Sequence, residues 1–219
     1  QEGMTALKKN KLLMMLVIIF MLLNNSIIYA FDLEGKISKN VYIGEIDVSD
    51  LTIEEATKKV NLYIEENRYF NLIYNDKKIK IDKNTFDLDY KIPQLAQNAY
   101  NVGRDKDIIT NIKTKVSLKR GNKEIIPIVS YYNISKIDEL IKQLNEQFYI
   151  SPVNATAEVI NDKVAVTKGS YGQNINKQQL KSIIIYKIDN LNSKDSEIPI
   201  TVLKPKYTSK QLSKIDTLL

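Results

Sequence analysis

The chain has 219 residues, 43% hydrophobic and 26% charged, enough for one or two globular domains, with 32 Lys and Arg against 26 Asp and Glu for a net charge of +6. It contains neither cysteine nor histidine, which excludes a thiol nucleophile, an imidazole base, a Cys/His zinc site and any disulfide. Arginine is too sparse to form a stripe interleaved with aromatics, which argues against a nucleic-acid partner, and no cofactor or metal is expected.

In chain order, Lys8, Lys9 and Lys11 precede an unbroken apolar run, Leu12 to Leu23; Asn24-Asn25-Ser26 separate it from Ile27 to Phe31. A signal-peptide core holds about 7–15 apolar residues and a spanning helix about 20. The run alone fits the first class, and Leu12 to Phe31 as a whole fits the second. Ile28 stands where a cleavage site prefers a small residue, which favours an uncleaved signal anchor over a cleaved signal peptide. In either case the lysines stay inside, and everything after Phe31 is expected on the extracellular, cell-wall side of the cell membrane. That exported part holds 29 basic and 25 acidic residues, a net +4 that suits an anionic wall surface. The general abundance of Lys throughout the chain is the plainer account of it.

Val41 to Val48 alternates as a strand. Thr52 then caps a helix with Glu55 reaching back, and Ala56, Val60, Tyr63 and Ile64 form its inner stripe. Phe70 to Tyr74, the turn Asn75-Asp76-Lys77 and Lys78 to Asp82 read as a hairpin. Pro93 opens a helix carrying Leu95, Ala96, Ala99, Tyr100 and Val102. Ile108 to Leu118, rich in β-branched residues, reads as extended, with Arg120-Gly121-Asn122 as a turn. Glu124 to Tyr131 is the next expected strand, and Ser135 caps a helix with Ile137, Leu140, Ile141, Leu144 and Phe148 inward. Ala155 to Ile160, Asn161-Asp162-Lys163 and Val164 to Thr167 form a second hairpin. Asn176 begins a helix whose inner face is Leu180, Ile183, Ile184 and Ile188, and Ile198 to Leu203 is the final strand.

The Asn-Asp-Lys triplet recurs, and in each copy a helix starts at a similar distance beyond it. The pattern predicts an α+β fold of two tandem, related β-α-β-β-α-β modules after the N-terminal helix: 1–31 as basic tail and anchor, 32–122 and 123–207 as modules, and 208–219 as the start of a further segment. A single merged domain is the alternative. Thr208 opens another helix, which points to a chain that continues past Leu219.

Three stretches carry a family resemblance. "VYIGEIDVSDLTIEEATKKV", with Val41, Tyr42, Ile43, Gly44, Ile46, Asp47, Leu51, Thr52, Glu54, Glu55 and Ala56 in place, resembles the opening of the exported region of VanW-family proteins. It is also similar to the non-catalytic part of some bacterial L,D-transpeptidases. Asn40 and Asp50 stand where that pattern more often has Gly. "AQNAYNVGRDKDII" supplies Ala96, Ala99, Gly103 and Arg104 of a second pattern. "SPVNATAEVINDKVAVTKGSYGQNINKQQLKSII" resembles the peptidoglycan-binding module of these proteins through Pro152, Asn154, Ala155, Gly169, Gly172 and Leu180, with Asn174 a departure. The resemblance implies a non-catalytic cell-envelope protein whose partner is peptidoglycan.

Residues that could touch such a ligand are few. Arg104 can bind a stem-peptide carboxylate in two-pronged fashion, or else bond the last carbonyls of its own helix. Tyr171 between Gly169 and Gly172 can stack on a sugar, or cover its own hairpin. Asp87/Asp89 and Glu54/Glu55 are the carboxylate pairs available for glycosidase-like chemistry, and nothing in the sequence places either in a cleft. Three readings follow: a membrane-tethered peptidoglycan-binding module without catalysis, the non-catalytic N-terminal part of an L,D-transpeptidase, or a spacer or protein-interaction module of the envelope.

Overall fold

The computed structural model describes residues 14–15, 35–161 and 163–214. The expected membrane segment, Leu12 to Phe31, lies outside the described residues except for Met14 and Met15. Among the described residues no helix is long and apolar enough to cross a membrane. The fold is mixed α and β, and its contacts divide it into two units, each discontinuous in sequence: residues 1–60 with 92–127, and 61–91 with 128–219.

In the first unit, the stretch read as one strand is a tight hairpin. Gly44 (φ 57°) reverses the chain between β1 (Val41–Ile43) and β2 (Ile46–Asp47). A residue with a Cβ is strained at that φ, so the glycine sets the turn and the alternation continues on the returning strand. Helix α1 (Ile53–Glu66) starts on the expected reciprocal cap: Glu55 N–H donates to Thr52 Oγ1 at 3.2 Å, and Thr52 N–H donates to Glu55 Oε2 at 2.8 Å. The unit boundary falls within this helix, after Val60. Helix α2 (Ile92–Asn101) buries Leu95, Ala96 and Ala99 and lies against β1 and the strand β5 (Glu124–Ile126), which runs parallel to β1. The sheet order is β2-β1-β5. Pro127 follows β5 directly and has no N–H for the ladder, which is why the strand expected to reach Tyr131 stops at Ile126.

The segment 108–118, expected to be extended, is a helix: α3, Ile108–Lys119. Its β-branched residues favour a strand only weakly, and local capping overrides that preference. Asp107 Oδ1 accepts from Thr110 N–H at 3.0 Å, and Gly121 (φ 95°) lies just past the other end. Leu118 is buried, and its carbonyl accepts from Asn40 Nδ2 at 2.8 Å.

The second unit begins with β3 (Tyr69–Tyr74) and β4 (Lys77–Asp82), antiparallel about Asn75 (φ 52°), followed by a 3-10 turn, Lys83–Phe86. The guanidinium of Arg68 holds both Asp82 oxygens, at 2.9 and 2.6 Å, locking the first strand's entry to the second strand's exit. Helix α4 (Ile134–Phe148) is capped two residues earlier than expected: Asn133, rather than Ser135, is the capping residue, and its side chain accepts from Ser135 N–H. Of the predicted inner face, Ile137, Ile141, Leu144 and Phe148 are buried, each side chain contributing about 1.5–3 kcal/mol of transfer free energy, and Leu140 is partly buried against the same core.

The hairpin of β6 (Thr156–Ile160) and β7 (Lys163–Thr167) is also where it was expected, and it is largely exposed. Strand β8 (Gly172–Ile175) pairs antiparallel with β10 (Ile200–Leu203), and β9 (Ser196–Glu197) joins the edge of β3 in parallel. Helix α5 (Lys177–Asp189) is capped by Asn176 and packs on α4, and a short α6 (Ser209–Leu212) follows. Leu180, Ile184 and Ile188 of α5 meet Phe70 and Leu72 of β3, the α4 face and Ile198 in one core.

This division differs from the one drawn at 122/123. The first hairpin packs with α4, α5 and β8 rather than with β1 and α2, and the segment expected to close the first module as a strand is α3. The tandem relation of the two copies stays an expectation from sequence pattern.

Candidate functional site

Arg104 sits in the first unit, half-buried. Its Nη1 donates to the Tyr100 carbonyl at 2.6 Å and its Nη2 to the Lys36 carbonyl at 2.7 Å, while the guanidinium lies 4.3 Å over the Tyr100 ring. Both Nη groups that a two-pronged carboxylate contact requires are thus turned onto backbone, so the geometry is that of a clamp on the end of α2. Arg104→Ala should lower stability by about 1–2 kcal/mol in urea melts and leave ligand capture per folded molecule unchanged. A cavity of about 250 Å³ beside Gly103 is lined by Asn98, Asn101, Asp105 and Lys106 among others, and Arg104 does not line it.

Gly172 and Tyr171 belong to the second unit, where residues 150–153 cross 170–173 in a single antiparallel register, Ile150 opposite Gln173 and Val153 opposite Ser170. Gly172 is buried, and a Cβ there would fall 2.5 Å from Pro152 N and closer still to the Ile150 carbonyl oxygen. Its role in this geometry is the close approach of two backbones. Tyr171 is 57% exposed. Pleat alternation sets it on the same face as Gln173, with exposed Ile150 and Val202 on the strands to either side of Gln173. Gln173 itself is engaged, donating to the Phe148 carbonyl at 2.9 Å and to the Tyr74 hydroxyl.

A concave surface in this unit has no motif to announce it. A groove of about 410 Å³ runs between α5 and residues 192–196, lined by Gln179, Ser182, Ile183, Tyr186, Lys187, Asn192, Lys194, Asp195 and Ser196. Ile183 and the exposed Tyr186 ring supply an apolar wall, and amide, hydroxyl and ammonium groups face it. The facing loop is rigidly tied. Buried Lys187 donates to the Lys194 carbonyl and to Asn192 Oδ1 at 3.4 Å. Asn192 Oδ1 also accepts from Lys194 N–H at 3.0 Å, and Ser193 Oγ bonds Asn67 Oδ1 at 3.1 Å. Asp195 accepts from Lys78 Nζ and Asn71 Nδ2, both at 2.8 Å, and these donors hold its carboxyl below the usual range. One signal in the sequence points here: Lys187 lies among Leu180, Ile184 and Ile188 on the inner stripe of α5, a charge where the periodicity calls for an apolar residue.

The carboxylate pair Asp87/Asp89 is not arranged for acid–base work. Asp87 is held by Lys136 at 2.6 Å and by Asn133, and Asp89 by the side chain and N–H of Lys91. Those donors keep both below the usual carboxylate range, the opposite of what a general acid needs. Among the described residues no group of three or more acidic side chains is placed to hold a metal ion.

Residues 79–197, more than half of the chain, match a family model described as "Putative peptidoglycan binding domain". The span contains the groove, Tyr171 and Gly172, and Arg104. No curated protein and no solved structure matches the chain.

Proposed function

The chain belongs to this family of peptidoglycan-binding domains, and from that premise we propose that it is a non-catalytic cell-envelope module, tethered to the membrane by its N-terminal apolar segment, that holds peptidoglycan in the groove beside α5. The observation that carries the reading is the groove itself. It is preformed, lies inside the matched span, and combines an exposed tyrosine with amides, hydroxyls and a lysine. Sugar rings present apolar C–H faces that pack on an aromatic ring and hydroxyls that amides satisfy, and stem-peptide carboxylates suit the exposed Lys194. The action is retention: no step in it makes or breaks a covalent bond. The likeness to the exported region of VanW proteins supports the finer assignment within the family.

The test is co-sedimentation of the full chain, in mild detergent, with purified bacterial sacculi. Tyr186→Ala and Gln179→Ala, both at exposed positions, should each weaken capture by about 1–2 kcal/mol without moving the melting temperature. Tyr171→Ala probes the other exposed tyrosine. If it alone weakens capture, the ligand sits on the Ile150–Tyr171–Val202 face and the groove assignment is wrong. Exposed charge contacts are screened within about 8–10 Å at physiological salt. Equal retention on sacculi and on an unrelated anionic polymer, lost together at high salt, would favour the spacer reading instead.

A further inference from the structure

Helix α3 is built inside out. Its inward side holds Leu118 with half-buried Thr110, Asn111, Thr114 and Ser117, all polar but one. Its outward side is apolar: Ile108, Ile109, Ile112 and Val116 are 66%, 65%, 56% and 41% exposed. At 100° per residue these four fall within a single 100° sector of the helix surface, so they form a stripe rather than scattered exposures. Exposed Lys113 and Arg120 border that sector on one side, and exposed Lys119 lies at its C-terminal end. From Asp105 to Glu124 the chain carries six basic residues against three acidic. An apolar stripe with a cationic border is the form of a helix that lies in the plane of an anionic lipid surface.

Chain length makes that surface the occupant. Phe31 ends the apolar segment expected to sit in the membrane, and Ile37 is already buried in the first unit. The six intervening steps span at most about 20 Å however they are arranged. The first unit is thereby held within reach of the headgroups, where a stripe of this kind gains both burial and charge attraction. We propose that α3 is a membrane-docking element, its Ile108–Ile109–Ile112–Val116 face lying on acidic lipid headgroups of the membrane surface that holds the tether. The proposal rests on the tethered reading above.

The test uses the absence of cysteine from the full chain. Ile112→Cys, and separately Glu54→Cys as an exposed position of the same unit, are labelled with an environment-sensitive fluorophore. Each protein is then reconstituted into vesicles of phosphatidylethanolamine with phosphatidylglycerol, and into vesicles of phosphatidylcholine. The expected result is a severalfold rise in emission at position 112, quenched by spin-labelled lipid, stronger in the acidic vesicles and absent at position 54. With the probe moved to Val116→Cys, adding Ile109→Glu should abolish the rise. Flotation of the same samples after a high-salt wash reports the tether separately. A chain that floats while its position-112 probe stays in water overturns the docking proposal and leaves the tether standing. A chain that does not float overturns both. A rise that appears without lipid and grows with protein concentration identifies a second copy as the occupant and overturns the lipid assignment.

Discussion

Gly172→Ala should destabilise the protein by about 3 kcal/mol or more, among the largest effects of any single methyl group added to this chain. The new Cβ would sit 2.5 Å from the backbone nitrogen of Pro152 and nearer still to the Ile150 carbonyl oxygen. Neither is a flexible side-chain end that can swing aside; both belong to the strand paired with 170–173. Relief would require that strand to move off β8, and β8 also carries Ile175 into the core and pairs with β10. Gly169→Ala meets Ala155 N at 2.5 Å and, closer, the Val153 carbonyl oxygen, so it should behave alike. The requirement at both positions is space, because neither glycine has a positive φ. Gly35 supplies the contrast: it has a positive φ of 60°, but a methyl group added there would have no neighbour within 4 Å, so Gly35→Ala should cost about 1 kcal/mol. Urea melts of the three variants check the ordering. A Gly172→Ala protein melting together with Gly35→Ala would show that the two backbones at this crossing can part at little cost.

These glycines also show how far the sequence could be read. The Gly-x-x-Gly spacing is visible, but its meaning depends on residues 150–155, some twenty positions away, and that crossing is not a property of any local window. Local signals serve well where the physics is local. Both Asn-Asp-Lys triplets turn on an asparagine in the left-handed region, Asn75 at φ 52° and Asn161 at φ 50°, and both hairpins form as expected. The Thr52–Glu55 cap and the inner faces of α4 and α5 likewise depend on spacings of three and four, except that Ile183, expected inward on α5, is half-buried and lines the groove. Helix α3 escapes because its apolar residues point outward, so the usual inference from periodicity to core has no purchase there. The groove escapes because a helix and a loop build it together, with only the misplaced charge of Lys187 as a clue.

That charge leads to an expected pH dependence. Stability should rise between about pH 8 and pH 10, against the usual alkaline trend. Lys83 and Lys187 are 1% and 2% exposed, and among the described residues no carboxylate is bonded to either ammonium. Burial, and then the charge of Lys187, push Lys83 down to about 8 from its ordinary 10.5. Burial also lowers Lys187, with the charge of Asp195 opposing. Below pH 8 the folded and unfolded chains both carry the Lys83 proton, and the folded state bears the whole penalty of a buried charge. Above pH 8 the folded state releases that proton while the unfolded state keeps it up to about 10.5, so the unfolded state binds more protons and stability climbs. The total gain is about 2–3 kcal/mol once partial solvent screening is allowed for. Tyr90 sets the upper limit. Its buried hydroxyl is pushed up to about 12 by burial and then by the charge of Asp189, so above its ordinary value of 10.0 the folded state retains a proton the unfolded state loses, and stability falls. The curve should therefore turn over near pH 10. Lys83→Met should leave only the smaller rise due to Lys187, and the Lys83→Met/Lys187→Met double variant should be flat from pH 8 to 10. The slope is the decisive quantity, because Lys83→Met also strips the Asn67 carbonyl of a 2.6 Å donor and so shifts stability at every pH. Urea midpoints at half-unit steps would settle it: a wild-type curve already falling from pH 8, or a double variant that still climbs, would show that these two ammonium groups are solvated well enough to keep their protons.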